Sequence, residues 1–216
     1  WASTPAPERG AILKAAGDAL ADRKDELTAQ LTREEGKTHA EAGGEVQRAI
    51  DIFHYYAQKT YDLGGTVKSS SGQRTNLYTR EEPVGVATLI TPWNYPIAIP
   101  AWKIAPALAA GNTVTIKPAS LAPGPAIAIV EALDDAGIHD GVINLVTGSG
   151  STVGDALIGH DDVDAVSFTG SSAVGDVVYD LATDDGKRVQ TEMGGKNPTI
   201  VSDATEIEEA ADIVAS

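Results

Sequence analysis

Apolar residues in the first part of the chain recur at helical spacing. Leu13, Leu20, Leu27 and Leu31 fall on one stripe with Arg23, Lys24 and Asp25 between them, which predicts a helix over residues 8–35 stopped by Gly36. Val46, Ile50, Phe53 and Ala57 form a second stripe over residues 40–61. Too few heptads repeat for a coiled coil, so both helices are expected to pack on a core. Gly64-Gly65 ends this helical pair. Residues 66–80 turn polar and rich in Thr, Ser and Gly. Val67 and Leu77-Tyr78-Thr79 flank the turn signal Ser69-Ser70-Ser71-Gly72, which predicts a β-ribbon at an edge or subunit contact.

From Val84 onward short apolar runs alternate with helical patterns. Strands are expected at residues 86–91, 113–117, 142–146, 163–168, 188–192 and 199–201. Helices are expected at 97–110, 126–136, near 152–158, from Ser171 through Val177, Val178 and Leu181, and from Thr205 to the end. Repeated βα units imply a mainly parallel sheet covered on both faces, doubly wound and Rossmann-like. The expected organisation is a helical lead-in over 1–65, a ribbon over 66–83 and a dinucleotide-binding α/β domain over 84–216.

In such sheets ligands bind beyond the carboxyl ends of the strands, so those positions carry the candidate chemistry. The run Val163-Asp164-Ala165-Val166-Ser167-Phe168-Thr169-Gly170-Ser171 reads as strand, turn and helix start, where free N–H groups can hold a phosphate. Thr91-Pro92-Trp93-Asn94-Tyr95-Pro96 fixes a carboxamide in a rigid loop; Asn94 either donates to an oxyanion or closes a turn. Lys117, before Pro118-Ala119-Ser120, either reaches a ribose or phosphate or snorkels to solvent. Gly148-Ser149-Gly150-Ser151-Thr152-Val153-Gly154 approaches the dinucleotide fingerprint with one extra residue. Glu192, before Met193-Gly194-Gly195-Lys196, is a general base if an apolar crevice surrounds it, or else an ion-pair partner of Lys196.

Charge and composition narrow the classes. A net charge of −15 argues against nucleic acid or an anionic membrane as partner. No apolar run is long enough to span a bilayer and the first residues do not resemble a signal peptide, so a cytoplasmic protein is expected. The chain has no cysteine, and His39, His54, His139 and His160 show no ligand spacing, so no metal site is expected.

Taken together, the 91–96 loop, Trp102-Lys103 with Pro106-Ala107-Leu108-Ala109-Ala110-Gly111-Asn112, Lys117-Pro118-Ala119-Ser120, Phe168-Thr169-Gly170-Ser171 and Glu192-Met193-Gly194-Gly195-Lys196 resemble the aldehyde dehydrogenase superfamily in order and spacing. The wording around Lys117 and Glu192 is similar to semialdehyde dehydrogenases such as the 2,5-dioxopentanoate type. The resemblance implies oxidation of a small-molecule aldehyde to an acid with NAD or NADP, through a Cys thiolate and a thioester. Carried over by motif, Asn94 would stabilise the oxyanion, Glu192 would activate water and Lys103 would support a proton path. Thr91, Pro92, Trp93, Lys117, Ser120, Gly150, Phe168, Thr169, Gly170, Ser171, Val174 and Gly175 would line the cofactor. Ser120 stands where NAD-preferring members often carry Glu, so NADP is expected to be tolerated.

The family's nucleophilic Cys and later cofactor-ribose glutamate find no counterpart here. The expectation is therefore a fragment, with the catalytic domain missing, inactive alone and a homo-dimer or tetramer when full-length. The alternatives are a non-catalytic dinucleotide-binding module and a scaffold relative without the nucleophile.

Overall fold

The computed structural model describes residues 1–202 and 206–215. Three helices come first, α1 (Ala6–Asp22), α2 (Lys24–Glu35) and α3 (His39–Lys59). The single helix expected over 8–35 is thus two. The chain turns at Arg23 (φ −98°, ψ 12°), while the leucine stripe runs on and Leu13, Leu20, Leu27 and Leu31 are all buried. No Pro or Gly marks the break. Arg23 reaches Glu131 across the interface at 3.2 Å, and the turn lets α2 pack on α3 and on the helix that carries Glu131. α3 opens on a reciprocal cap, in which the Glu41 N–H donates to Thr38 Oγ1 and the Thr38 N–H donates to Glu41 Oε2.

The polar stretch that follows makes a two-stranded antiparallel ribbon, β1 (Val67–Lys68) with β2 (Leu77–Tyr78), exposed on all four residues. The α/β part then runs β3 (Val86–Ile90), α4 (Ala98–Ala109), β4 (Thr113–Lys117), α5 (Gly124–Asp135), β5 (Ile143–Leu145), α6 (Asp155–Ile158), β6 (Ala165–Thr169), α7 (Ser172–Asp184), β7 (Arg188–Glu192) and α8 (Ile207–Ala215). Gly111, at φ 93°, ends α4 in the left-handed conformation that a side chain disfavours. The helix expected near 152–158 is shorter. Residues 150–154 form a wide turn in which the Gly154 N–H reaches Ser149 O at 3.4 Å, and α6 follows it.

One expectation at the carboxyl end needs correction. Residues 199–201 are not a strand. They follow Pro198, which has no N–H to give a ladder, they pair with nothing described, and Ile200 is 89% exposed. The last helix begins at Ile207; Thr205 and Ser216 lie outside the described residues.

The sheet is parallel throughout, in the order β5-β4-β3-β6-β7. The first strand of the sheet, β3, lies in the middle. The chain steps outward to β4 and β5, then crosses back to β6 and β7, so the order reverses between β3 and β6. Alternate residues of β3 serve two cores. Ala87 and Leu89 join a large core shared by α1–α5 and β4, while Val86 and Ile90 pack against a smaller one around Val166, Phe168, Val178 and Ala182. On the first face α4 lies over β3 and β4 and stops there. Among the described residues no helix covers the same face of β6 and β7, which becomes the floor of a cleft.

Candidate active site

The cleft has a volume of about 860 Å³ and lies at the switch point of the sheet. Its floor is every second residue of three strands: Ala87 and Leu89, Ser167 and Thr169, Gln190 and Glu192. One wall is α4, through Ile99, Trp102 and Lys103. The rim is the loop after β3 with Pro92, Trp93 and Asn94, and the turn after β6 with Gly170 and Ser171. Asn94, Lys103 and Glu192 come from a loop, a helix and a strand end, and all three line this one cavity.

The loop bearing Asn94 is held from outside. The Thr91 N–H donates to Lys117 O at 3.2 Å. Lys37 Nζ donates to Asn94 O at 3.1 Å and sits 4.3 Å over the Tyr95 ring. Lys37 also pairs with the buried Glu45, whose carboxylate accepts from the Ile97 and Ala98 N–H groups at 3.0 and 3.1 Å and so caps α4. Sequence reasoning missed Glu45. The available signal was a carboxylate falling on the apolar stripe of α3 between Ala42 and Ala49, a place that requires partners.

Lys103 is 6% exposed, and its Nζ donates to Ser167 Oγ at 2.6 Å. Burial pushes its pKa down to about 8, against a smaller upward pull from Glu192. Below an ordinary lysine pKa of 10.5 the unfolded chain holds this proton more tightly. Stability is therefore expected to rise with pH between about 8 and 10.5, and Lys103→Met is expected to stabilise the fold at neutral pH by up to about 3 kcal/mol. Urea unfolding of the two proteins measures this; a less stable Lys103→Met variant contradicts it.

Glu192 is exposed, and among the described residues no apolar crevice encloses it. Among the described residues it pairs with no lysine. Its carboxylate accepts from Gln190 Nε2 at 3.3 Å, and its backbone carbonyl accepts from the Gly170 N–H at 3.1 Å.

The remaining candidates fall into two groups. Around the cleft, α7 opens at Ser171 without a side-chain cap, leaving its first N–H groups free for a ligand. Thr91 and Thr169 at the strand tips each bury an Oγ1 that has no partner. Phe168 does not line the cleft. It is 4% exposed in the smaller core, and its ring lies beneath the turn, where a Cβ on Gly170 would fall 2.5 Å from it. Gly175 is buried, with Met193 and Phe168 filling the space a Cβ would take, and Val174 is exposed beside it. The second group lies at the tips of β4 and β5, outside the cleft lining. Lys117 is buried, which lowers its pKa, and its Nζ donates to Pro118 O at 3.2 Å. Ser120 donates to Gly148 O at 3.0 Å, and Gly150 is exposed at the start of the wide turn. Both groups lie at the carboxyl edge of the sheet.

Among the described residues no cluster of His, Asp or Glu is placed to hold a metal, and no helix is long and apolar enough to cross a membrane.

Comparison with known proteins gives a consistent match. Residues 1–216 match the model of the aldehyde dehydrogenase family. The chain is 69% identical over 216 residues to an alpha-ketoglutarate semialdehyde dehydrogenase of Haloferax volcanii, and 43% identical over 215 residues to a 2,5-dioxopentanoate dehydrogenase of Saccharolobus solfataricus. It covers 100% and 99% of itself in these matches and 45% of each relative, so it spans under half the length of the relatives it matches. Its fold matches that of betaine aldehyde dehydrogenase from Staphylococcus aureus in complex with NAD+ with a TM-score of 0.95 at 37% identity, over 98% of this chain and 42% of that one.

Proposed function

Because the chain belongs to the aldehyde dehydrogenase family, we propose that it is the cofactor-binding part of an enzyme that oxidises a semialdehyde to a carboxylic acid with NAD or NADP. The observation that carries this reading is the convergence of Asn94, Lys103 and Glu192 on one cleft at the switch point of a parallel sheet.

The residues present fit a dinucleotide. The pyrophosphate would lie at the uncapped start of α7, where Gly170 and Gly175 let the turn and the helix settle against Phe168 and Met193. The buried hydroxyls of Thr91 and Thr169 lack partners that a ligand would supply. Lys117 and Ser120 would meet the adenosine ribose. When bound, the nicotinamide supplies a hydride acceptor.

The chain's own groups do the rest. Asn94 would donate to the oxyanion that forms on the aldehyde carbon. Glu192 would take a proton from the water that releases the acid, and Lys103 would hold a proton beside it. The semialdehyde substrate is supported by the names of the relatives above. The exposed Val67, Leu77 and Tyr78 of the ribbon support a subunit contact there, in an oligomer.

The test is aldehyde-dependent reduction of NAD and NADP by the complete gene product, with both cofactors expected to serve because Ser120 places no charge against a 2′-phosphate. The 216-residue chain, which has no cysteine, is expected to bind cofactor and oxidise no aldehyde. Oxidation by the chain alone, or none by the complete product with any semialdehyde, contradicts the reading.

A further inference from the structure

Three hydrogen bonds run in series along the cleft floor. Lys103 Nζ donates to Ser167 Oγ at 2.6 Å, Ser167 Oγ donates to Gln190 Oε1 at 2.7 Å, and Gln190 Nε2 donates to Glu192 Oε1 at 3.3 Å. The strand pairing assembles this run. Ser167 of β6 stands opposite Gln190 of β7, and Glu192 follows two residues on, on the same face.

One charge sets the direction of every bond in the run. An ammonium has donors only, so Ser167 must accept from Lys103. The single hydroxyl proton then goes to Gln190, whose carbonyl must face it, and this turns the amide NH₂ toward Glu192. Once Lys103 loses its proton the constraint disappears. The neutral amine accepts, Ser167 turns its proton to Nζ, and the Ser167 oxygen now seeks a donor. Rotation of the Gln190 amide supplies one, and leaves a carbonyl oxygen facing the Glu192 carboxylate in place of a donor.

We propose that Ser167 and Gln190 are positioning residues that tie the setting of the Glu192 carboxylate to the charge on Lys103: held to the floor while the lysine is charged, released when it is neutral. The proposal rests on reading Glu192 as the water-activating base. Nothing else in the lining competes. Lys103 and Glu192 are the ionisable side chains among the described lining residues. β3 and β6 add none to the lining, and on α3 the Glu45 carboxylate is taken up by Lys37 and the start of α4. The pKa of about 8 for Lys103 brings the change into an accessible range.

The test is a pH titration by NMR of the protein labelled at lysine Nζ and at the glutamine side-chain amide. The Gln190 amide resonances are expected to shift with the same midpoint as Lys103. In Ser167→Ala that shift is expected to vanish while Lys103 still titrates; Ser167→Thr, which keeps the hydroxyl, is expected to restore it. A Gln190 amide that ignores the Lys103 transition in the unmodified protein overturns the proposal, as does one that follows it in Ser167→Ala. The unmodified protein decides the matter even if a variant does not fold. Failure here with aldehyde oxidation intact removes only this coupling. Coupling without oxidation by the complete gene product removes only the enzymatic reading.

Discussion

Replacing Glu45 by alanine is expected to cost about 3–5 kcal/mol of folding stability, a large part of what holds a typical domain folded. The size follows from what the carboxylate does at once. Its side chain is 1% exposed, it accepts from two N–H groups at the start of α4, and it is the main partner of Lys37. Removing it leaves two buried donors open and takes from the Lys37 ammonium its shorter carboxylate contact, leaving Glu35 at 3.2 Å. Burial acts to lower the Lys37 pKa, but the bonds to Glu45 and Glu35 outweigh it and raise the pKa above the ordinary 10.5. The stability contributed by the Lys37 charge is therefore present below the unfolded-lysine pKa of 10.5 and is lost as pH rises through the higher folded value. Glu45→Gln keeps an acceptor for Ile97 and Ala98 and is expected to cost less than alanine. Urea denaturation of the three proteins checks the order; equal stability of Glu45→Ala and the unmodified chain would show that the strap is not structural. The strap also bears on chemistry, because Lys37 holds the backbone of Asn94.

The second large effect is at Asn94 itself. In the complete gene product, Asn94→Ala is expected to lower kcat by about 10²–10³, with little change in KM. Among the described residues the Asn94 side chain has no hydrogen-bond partner, while its backbone is fixed between Pro92 and Pro96 and by Lys37. An open donor on a fixed backbone is what a developing oxyanion can use, and its loss falls on the transition state more than on binding. Steady-state kinetics decide it. A rise in KM at unchanged kcat would make Asn94 a binding residue and remove the oxyanion role.

How far the sequence carried these conclusions depends on the kind of signal. Short apolar runs and period-3.6 patterns place β3, β4 and the buried stripes of α1–α3 within a residue or two, because burial writes directly into those positions. The motifs at the strand tips were legible because glycine, proline and a lone carboxamide in a fixed order are rare by chance. Three things were not legible. The turn at Arg23 carries no breaker residue and arises from α2 packing on two partners. Residues 199–201 have the composition of a strand, but a strand needs a neighbour to pair with. The Ser167–Gln190 run depends on the register of β6 against β7, which joins residues 23 positions apart and leaves no local trace. Phe168 is expected against the cofactor because it belongs to the carried-over Phe168-Thr169-Gly170-Ser171 motif. Strand alternation points its ring the other way, into the smaller core.

The central claim is that a dinucleotide lies across the tips of these strands with its reactive ring between a carboxamide and a carboxylate. Crystals of the chain grown with NAD+ or NADP+ test it most directly. The account predicts the pyrophosphate at the start of α7 and the nicotinamide in the cleft that Asn94 and Glu192 both face. An ordered dinucleotide elsewhere on the surface, or one that leaves Asn94 and Glu192 facing different crevices, would contradict it.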